Sequence, residues 1–249
     1  MAQAEQYFAA EPQSKDVRRK LHVTLRGNEA DVEVSNGVFS GNRVDLGTSV
    51  LLRQAPEPPE EGTFLDLGCG WGPIALTLGF ESPKADIWAL DVNERALELT
   101  RRNAELNGMG NIHAVTAEQV PAVLTFDLIW SNPPIRVGKE ALHELLMTWL
   151  PRLNAGGAAY LVVQRNLGSD SLIPWLATQL GDGFEVGKYA SSKGFRVIEV
   201  VRHEIRISFR TAGFRGSRRN RRSRQVEPGG DRLRTDGFRQ DHAAAEDPA

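Results

Sequence analysis

The residues best suited to chemistry in this 249-residue chain lie in three short segments. The first reads Asp66-Leu67-Gly68-Cys69-Gly70-Trp71-Gly72-Pro73. Glycines at alternate positions let the chain turn sharply and bring bare backbone against a ligand. A dinucleotide fingerprint G-x-G-x-x-G would need glycine at 73, where proline stands. Pro73 instead suits the first turn of a helix, where its missing N–H is not needed. Asp66, two residues before the first glycine, would repel a pyrophosphate and suit a cation. S-adenosylmethionine carries a sulfonium and an ammonium group and no phosphate, so the spacing favours that cofactor. The second segment is a lone acid, Asp91, 25 residues after Asp66 at the end of the next strand. A carboxylate there can accept both hydrogens of a ribose diol.

The third segment is Asn132-Pro133-Pro134-Ile135-Arg136, 41 residues after Asp91. Taken alone it is a turn that ends a strand. At the end of the fourth strand, beside the other two, it carries groups that methyl transfer to an exocyclic amine would require. The lone pair of such a nitrogen is delocalised into its ring, so the amine is a poor nucleophile. Two acceptors on its two hydrogens favour a pyramidal nitrogen with the lone pair directed at the methyl group. The Asn132 side-chain oxygen and the Pro133 main-chain carbonyl would be those acceptors. The prolines stiffen the turn, and Pro133 restricts Asn132 to an extended conformation.

These segments need elements to hold them, and the chain between Thr63 and Arg202 supplies an alternation. Strands are expected at Thr63–Leu67, Asp86–Leu90, Ile112–Val115, Phe126–Ser131 and Ala158–Val163. Helices are expected at Pro73–Glu81, Asn93–Asn107, Gly138–Leu150 and Ser169–Leu180. Phe184–Tyr189 and Phe195–Arg202 form a possible closing hairpin. Strands separated by helices require crossover connections and a largely parallel sheet, with the ligand crevice beyond the carboxyl ends of the strands. Upstream, residues 21–26 and 31–35 alternate around Gly27-Asn28, which predicts a hairpin. A short helix over Thr48–Gln54 then leads to a proline-rich hinge at 56–62. The expected organisation is an N-terminal β-hairpin extension over 1–56, a cofactor-binding α/β domain over 57–202, and an arginine-rich tail over 203–249.

Composition narrows the class. At 41% hydrophobic and 25% charged, the chain is that of a globular protein. No apolar run approaches the roughly 18–20 residues of a membrane span. The N-terminus has neither a basic start nor an apolar block, so no secretory signal is expected and the location expected is cytoplasmic. Cys69 is the one cysteine and the five histidines lack metal spacing, so neither a disulfide nor a metal site is predicted. Residues 1–202 hold 19 Lys+Arg against 25 Asp+Glu, a net of −6, while 203–249 hold 11 against 7, a net of +4. The tail reads as disordered. Its run of eight arginines between Arg206 and Arg224 is open to two readings, non-specific RNA affinity or no function at all.

Asp66-Leu67-Gly68-Cys69-Gly70-Trp71-Gly72 followed by Leu90-Asp91-Val92-Asn93 resembles the class I S-adenosylmethionine-dependent methyltransferases. The resemblance implies a Rossmann-like α/β fold, a seven-stranded, mostly parallel sheet with helices on both faces and an antiparallel last strand. It implies that Gly68 and Gly70 pass close to the methionine portion of the cofactor, that Asp91 holds its ribose, and that Ala117-Glu118 flank its adenine. An NPP segment is similar to the amino-group methylators of adenine N6, guanine N2 or glutamine amide nitrogen. Ile135 departs from the Tyr or Phe usual after it, so a base must be held partly by other residues.

Four further segments, Gly37-Val38-Phe39-Ser40, Val44-Asp45-Leu46-Gly47-Thr48, Ser131 to Lys139, and Lys193-Gly194-Phe195-Arg196-Val197, are similar to the methyltransferase small-domain family. That family includes guanine-N2 methyltransferases of small-subunit ribosomal RNA. The resemblance covers residues 6–202 and implies ribosomal RNA or the small ribosomal subunit as partner, no membrane, and a monomer. Its well-characterised bacterial members carry an extra N-terminal copy of the domain that this chain has no room for. A protein glutamine-amide N5 methyltransferase and a non-catalytic ribosome-assembly protein stay open as alternatives. On the substrate side, Pro134, Ile135, Arg136 and Lys139 are candidates, with a solvated loop as the plain alternative for the two cations. Phe39 is either core or a ring that stacks on a base. Lys15, Arg18, Arg19 and Lys20 are either a solvated face or a backbone contact.

Overall fold

The computed structural model describes residues 15–39 and 43–204. Strands β1 (Arg18–Leu25) and β2 (Asn28–Ser35) pair antiparallel as a separate hairpin. Helix α1 (Leu46–Gln54) follows, then β3 (Thr63–Leu67), α2 (Pro73–Glu81), β4 (Asp86–Leu90), α3 (Glu94–Leu106) and β5 (Ile112–Val115). The second half continues with β6 (Phe126–Ser131), α4 (Lys139–Trp149), β7 (Leu153–Gln164), α5 (Ser169–Leu180), β8 (Phe184–Ser192) and β9 (Phe195–Arg202).

Seven strands form one sheet in the order β5-β4-β3-β6-β7-β9-β8. β5, β4, β3, β6 and β7 run parallel, and β9, the last strand among the described residues, is antiparallel to β7. This is the Rossmann-like sheet that the sequence predicts. Parallel strands sandwiched between helices are buried on both faces and read as nearly continuous apolar runs. In β3, Phe64 and Leu65 are both fully buried, but they belong to different cores. Phe64 packs in the core that α1, α2, α3 and the hairpin cover, and Leu65 in the one that α4 and α5 cover. Leu25, Ala30, Val32 and Val34 of the hairpin join the first of these cores.

The strand order reverses between β3 and β6, where the following helices depart to opposite faces and leave a crevice. Register sets what lines it. Leu67 pairs with Leu90 on one side and Ser131 on the other, and Leu90 pairs with Val115. Gly68, Asp91 and Asn132 therefore leave the sheet at one level on adjacent strands.

Several boundaries differ from expectation. The hairpin turns on Arg26 and Gly27, with φ of 50° and 86°, while Asn28 already pairs with Leu25. A two-residue turn with positive φ at both positions matches the strand twist. β1 also reaches back to Arg18, through charged residues that show no apolar alternation. Arg26 is held there because its guanidinium meets Glu81 at 2.8 Å and the carbonyls of Ala55 and Pro56 at 3.1 Å. β7 starts at Leu153 instead of Ala158, α4 ends at Trp149, and α1 starts at Leu46, two residues early. Among the described residues no helix is long and apolar enough to cross a membrane. The tail from 205 onward, with its arginine run, lies outside the described residues.

Candidate active site

The glycine turn is pinned by the strand beside it. Gly68 and Cys69 donate their N–H groups to the Leu90 carbonyl, both at 2.8 Å, and Gly70 donates to Asp91 Oδ2 at 2.9 Å. Glycines 68, 70 and 72 have φ of 84°, 57° and 93°, a left-handed run that side chains rarely adopt. Space is tight at 72 as well, where a Cβ would meet Thr100 at 3.1 Å. The other Asp91 oxygen accepts from the Asn93 N–H at 2.9 Å. Burial raises the Asp91 pKa, and the N–H groups of Asn93, Gly70 and Val92 pull against it.

Asp66 lies deeper than the sequence suggests. It is fully buried, and its Oδ2 accepts from the Ala75 N–H at 2.9 Å, inside the first turn of α2. Its Oδ1 is buried with no hydrogen-bond partner. Burial drives its pKa well up, and the Asp91 charge adds to that. Burial likewise pushes the Cys69 thiol well up, which keeps it from being a thiolate nucleophile.

Asn132 is held by a part of the chain that the sequence places far from it. Its Nδ2 donates to Asp45 Oδ2 at 3.0 Å and to Thr48 Oγ1 at 3.1 Å. A carboxylate only accepts, so the NH2 end must face Asp45 and the carbonyl end must face away from it. Asp45 is itself fixed as the N-cap of α1, where Oδ2 accepts from the N–H of Gly47 at 2.7 Å and of Thr48 at 3.3 Å. Gly47 leaves room for this arrangement. A Cβ there would sit 3.0 Å from Asp45 Oδ2, 3.1 Å from Phe195 Cε1 and 3.3 Å from Asn132 Nδ2. The Pro133 carbonyl accepts from the Ile135 N–H at 2.8 Å, which uses one of its two lone pairs.

A cavity of about 320 Å³ opens between these loops, within the size range of cofactor sites. Gly68, Asp91, Ala117, Asn132, Pro133, Pro134 and Ile135 all line it. Gly70 faces a smaller adjoining pocket, also bordered by Gly68 and Asn132. Asp66 lines neither, and Lys139 stands exposed at the start of α4 outside both linings. The Arg136 side chain lies outside the described residues. Asp45, Phe39, Phe195 and Gln164 also line the cavity. Sequence reasoning assigned no site role to Asp45, Gln164 or Phe195, although the segments around Asp45 and Phe195 carried the resemblance. Phe39 is 42% exposed at this wall, which removes it from the core.

The wall suits a cation better than an anion. Its charged members among the described residues are Asp45 and Asp91, with no lysine or arginine to meet a diphosphate. The strand-end acid, the glycine turn and the apolar residues Leu67, Leu90 and Ala117 fit a nucleoside that bears a positive charge.

A sheet of this order, with its crevice at the β3–β6 reversal, defines the Rossmann-like methyltransferase class. Residues 29–199 match the family model of the methyltransferase small domain, and the chain belongs to that family. The protein YbxB of Bacillus subtilis, which has no assigned function, is 36% identical over 79% of this chain and 98% of its own length. The ribosomal RNA small subunit methyltransferase C of Acinetobacter baylyi is 35% identical over 61% of this chain and 47% of its own length. In fold, the chain is similar to the Thermus thermophilus 16S rRNA N2 G1207 methyltransferase solved with AdoMet and guanosine. The TM-score is 0.63 at 22% identity, covering 77% of this chain and 52% of that one. The chain thus spans about half the length of the ribosomal RNA methyltransferases it matches.

Proposed function

We propose that this protein methylates an exocyclic amine of RNA, N2 of guanine in small-subunit ribosomal RNA. Its cofactor is S-adenosyl-L-methionine. Asp91 offers its remaining carboxylate lone pairs to the ribose hydroxyls, Gly68 brings bare backbone to the methionine end, and Ala117 borders the base. Bound there, the cofactor supplies a methyl group made electrophilic by its sulfonium. Asp66 keeps the glycine turn in register with α2 through the Ala75 N–H.

The observation that carries the proposal is the commitment of the Asn132 NH2 to Asp45 and Thr48. That leaves Oδ1 as one acceptor and the second lone pair of the Pro133 carbonyl as another, both from residues lining the cavity. Together they bind the two hydrogens of an aromatic amine and favour the pyramidal nitrogen that attack needs. No base is required before attack, because the proton leaves a nitrogen that has become cationic. The RNA assignment draws support from the relatives' names and from the aromatic rings of Phe39 and Phe195 on the cavity wall.

The test is methyl transfer from labelled cofactor to small ribosomal subunits and, in parallel, to a peptide release factor. Label in the ribosomal RNA is expected. Label in release-factor glutamine alone would assign the protein to the amide methylators, and cofactor binding with no transfer to either would make it non-catalytic.

A further inference from the structure

We infer that the cavity edge built by the end of β7 and the β8–β9 turn holds the substrate nucleotide. In this arrangement Phe195 stacks on the target base, and Arg165 and Lys193 grip the phosphates flanking it. This rests on the methyl-transfer reading above and deepens it by naming the surface and the form of substrate, a nucleotide drawn out of its strand.

Phe195 is placed for the task by its closeness to the Asn132 amide. The Gly47 Cβ position lies 3.1 Å from the Phe195 ring and 3.3 Å from the Asn132 amide nitrogen, so ring and amide flank a single point. A planar base with its amine on Asn132 lies within reach of that ring. Ile135, the residue after the NPP, has no π face, so the aromatic surface must come from elsewhere on the wall.

The cations sit one step outward from lining residues. Lys193 and Gly194 form a two-residue turn with φ of 48° and 82°, closed by the pair Ser192–Phe195. The Gly194 carbonyl accepts from the Arg165 N–H at 2.9 Å, so the turn and the end of β7 are fastened together. Arg165 follows Gln164 and Lys193 precedes Phe195 by two residues, and both lining residues face the cavity. Both cations are exposed, and neither joins an ion pair among the described residues, whereas neighbouring Arg196 is committed to Asp170. The −6 net charge of residues 1–202 makes this local pair stand out, because the body as a whole does not attract a polyanion.

The test measures binding of a small-subunit ribosomal RNA transcript by fluorescence anisotropy across a salt series, with cofactor affinity by calorimetry as the check on folding. The proteins are wild type, Arg165→Ala/Lys193→Ala, Phe195→Leu, Phe195→Tyr and Lys84→Ala. Lys84 is exposed at the opposite, amino-terminal edge of the sheet and controls for charge alone. The double variant is expected to lower the log–log salt slope by about 1.4, two phosphate contacts on a single strand, while Lys84→Ala leaves it unchanged. Phe195→Leu is expected to weaken binding about tenfold with the slope intact, and Phe195→Tyr to restore it. An unchanged slope in the double variant, an equal fall in Lys84→Ala, or equal losses in the Leu and Tyr variants would overturn the assignment. If Phe195→Leu loses cofactor binding, the Tyr and charge variants decide. Methylation of ribosomal RNA by the wild type with none of these effects refutes this surface and leaves the proposed reaction standing. Absent methylation with all of the effects refutes the reaction and leaves the surface.

Discussion

The side-chain nitrogen of Asn132 lies 3.0 Å from Oδ2 of Asp45, although 87 residues separate them in the chain. The contact joins the NPP turn after β6 to the N-cap of α1, so the small N-terminal region sets the orientation of the amide at the cavity. In the proposed reaction Asp45 acts through Asn132, as a positioning residue.

Removing it should therefore affect turnover more than binding. Asp45→Ala is expected to lower kcat about 100-fold, the scale of a misplaced reacting group, with cofactor affinity nearly unchanged. Steady-state kinetics and calorimetry measure the two. A loss confined to cofactor affinity would show that Asp45 serves the other end of the cavity.

Gly47→Ala tests the same geometry by crowding. The added methyl meets Asp45, Phe195 and Asn132 at 3.0 to 3.3 Å, so the neighbours must shift by tenths of an ångström. Turnover should fall about tenfold while the melting temperature of the protein changes little. Wild-type kinetics would mean that the amide position is not critical.

Asp91→Ala should weaken the cofactor Kd ten- to a hundredfold, as expected for losing hydrogen bonds to a charged group. Turnover at saturating cofactor should be largely retained. Part of the loss comes through the Gly70 N–H, which Asp91 fixes at 2.9 Å. An unaltered Kd would place the ribose elsewhere.

Burial raises the pKa values of both Asp66 and Asp91 in the folded chain. The folded state therefore holds these protons more tightly than the unfolded state. Their contribution to stability is present below the unfolded value of about 4 and is lost as pH rises through the folded values. Asp66→Asn removes one of the two groups. Relative to wild type, its melting temperature in the absence of cofactor should improve steadily from about pH 4 toward neutrality. A constant offset across that range would show that Asp66 titrates normally.

Much of this molecule is legible in its sequence because periodicity and turn chemistry agree there. β3, β4, β5 and β6 lie where their apolar runs place them, and α2 begins on Pro73 and α3 behind the Asn93 cap. Gly68, Asp91 and Asn132 can be read as one site because each ends a parallel strand. What sequence reasoning missed is tertiary. Asp45 caps a helix and would do so whatever it faced; only the fold brings Asn132 onto it. β1 starts in Arg18-Arg19-Lys20, an exposed stretch where alternation carries no signal. Asp66 looked like a ligand to a cation from its spacing alone, but its strand position turns the carboxylate to the N-terminus of α2.

The most direct test is nucleoside mass spectrometry of small-subunit ribosomal RNA after incubation with labelled cofactor and either wild type or Asn132→Ala. The account predicts labelled N2-methylguanosine from wild type and none from the variant, which still binds cofactor. Equal labelling by Asn132→Ala, or label on a ring nitrogen or a ribose oxygen, would contradict it.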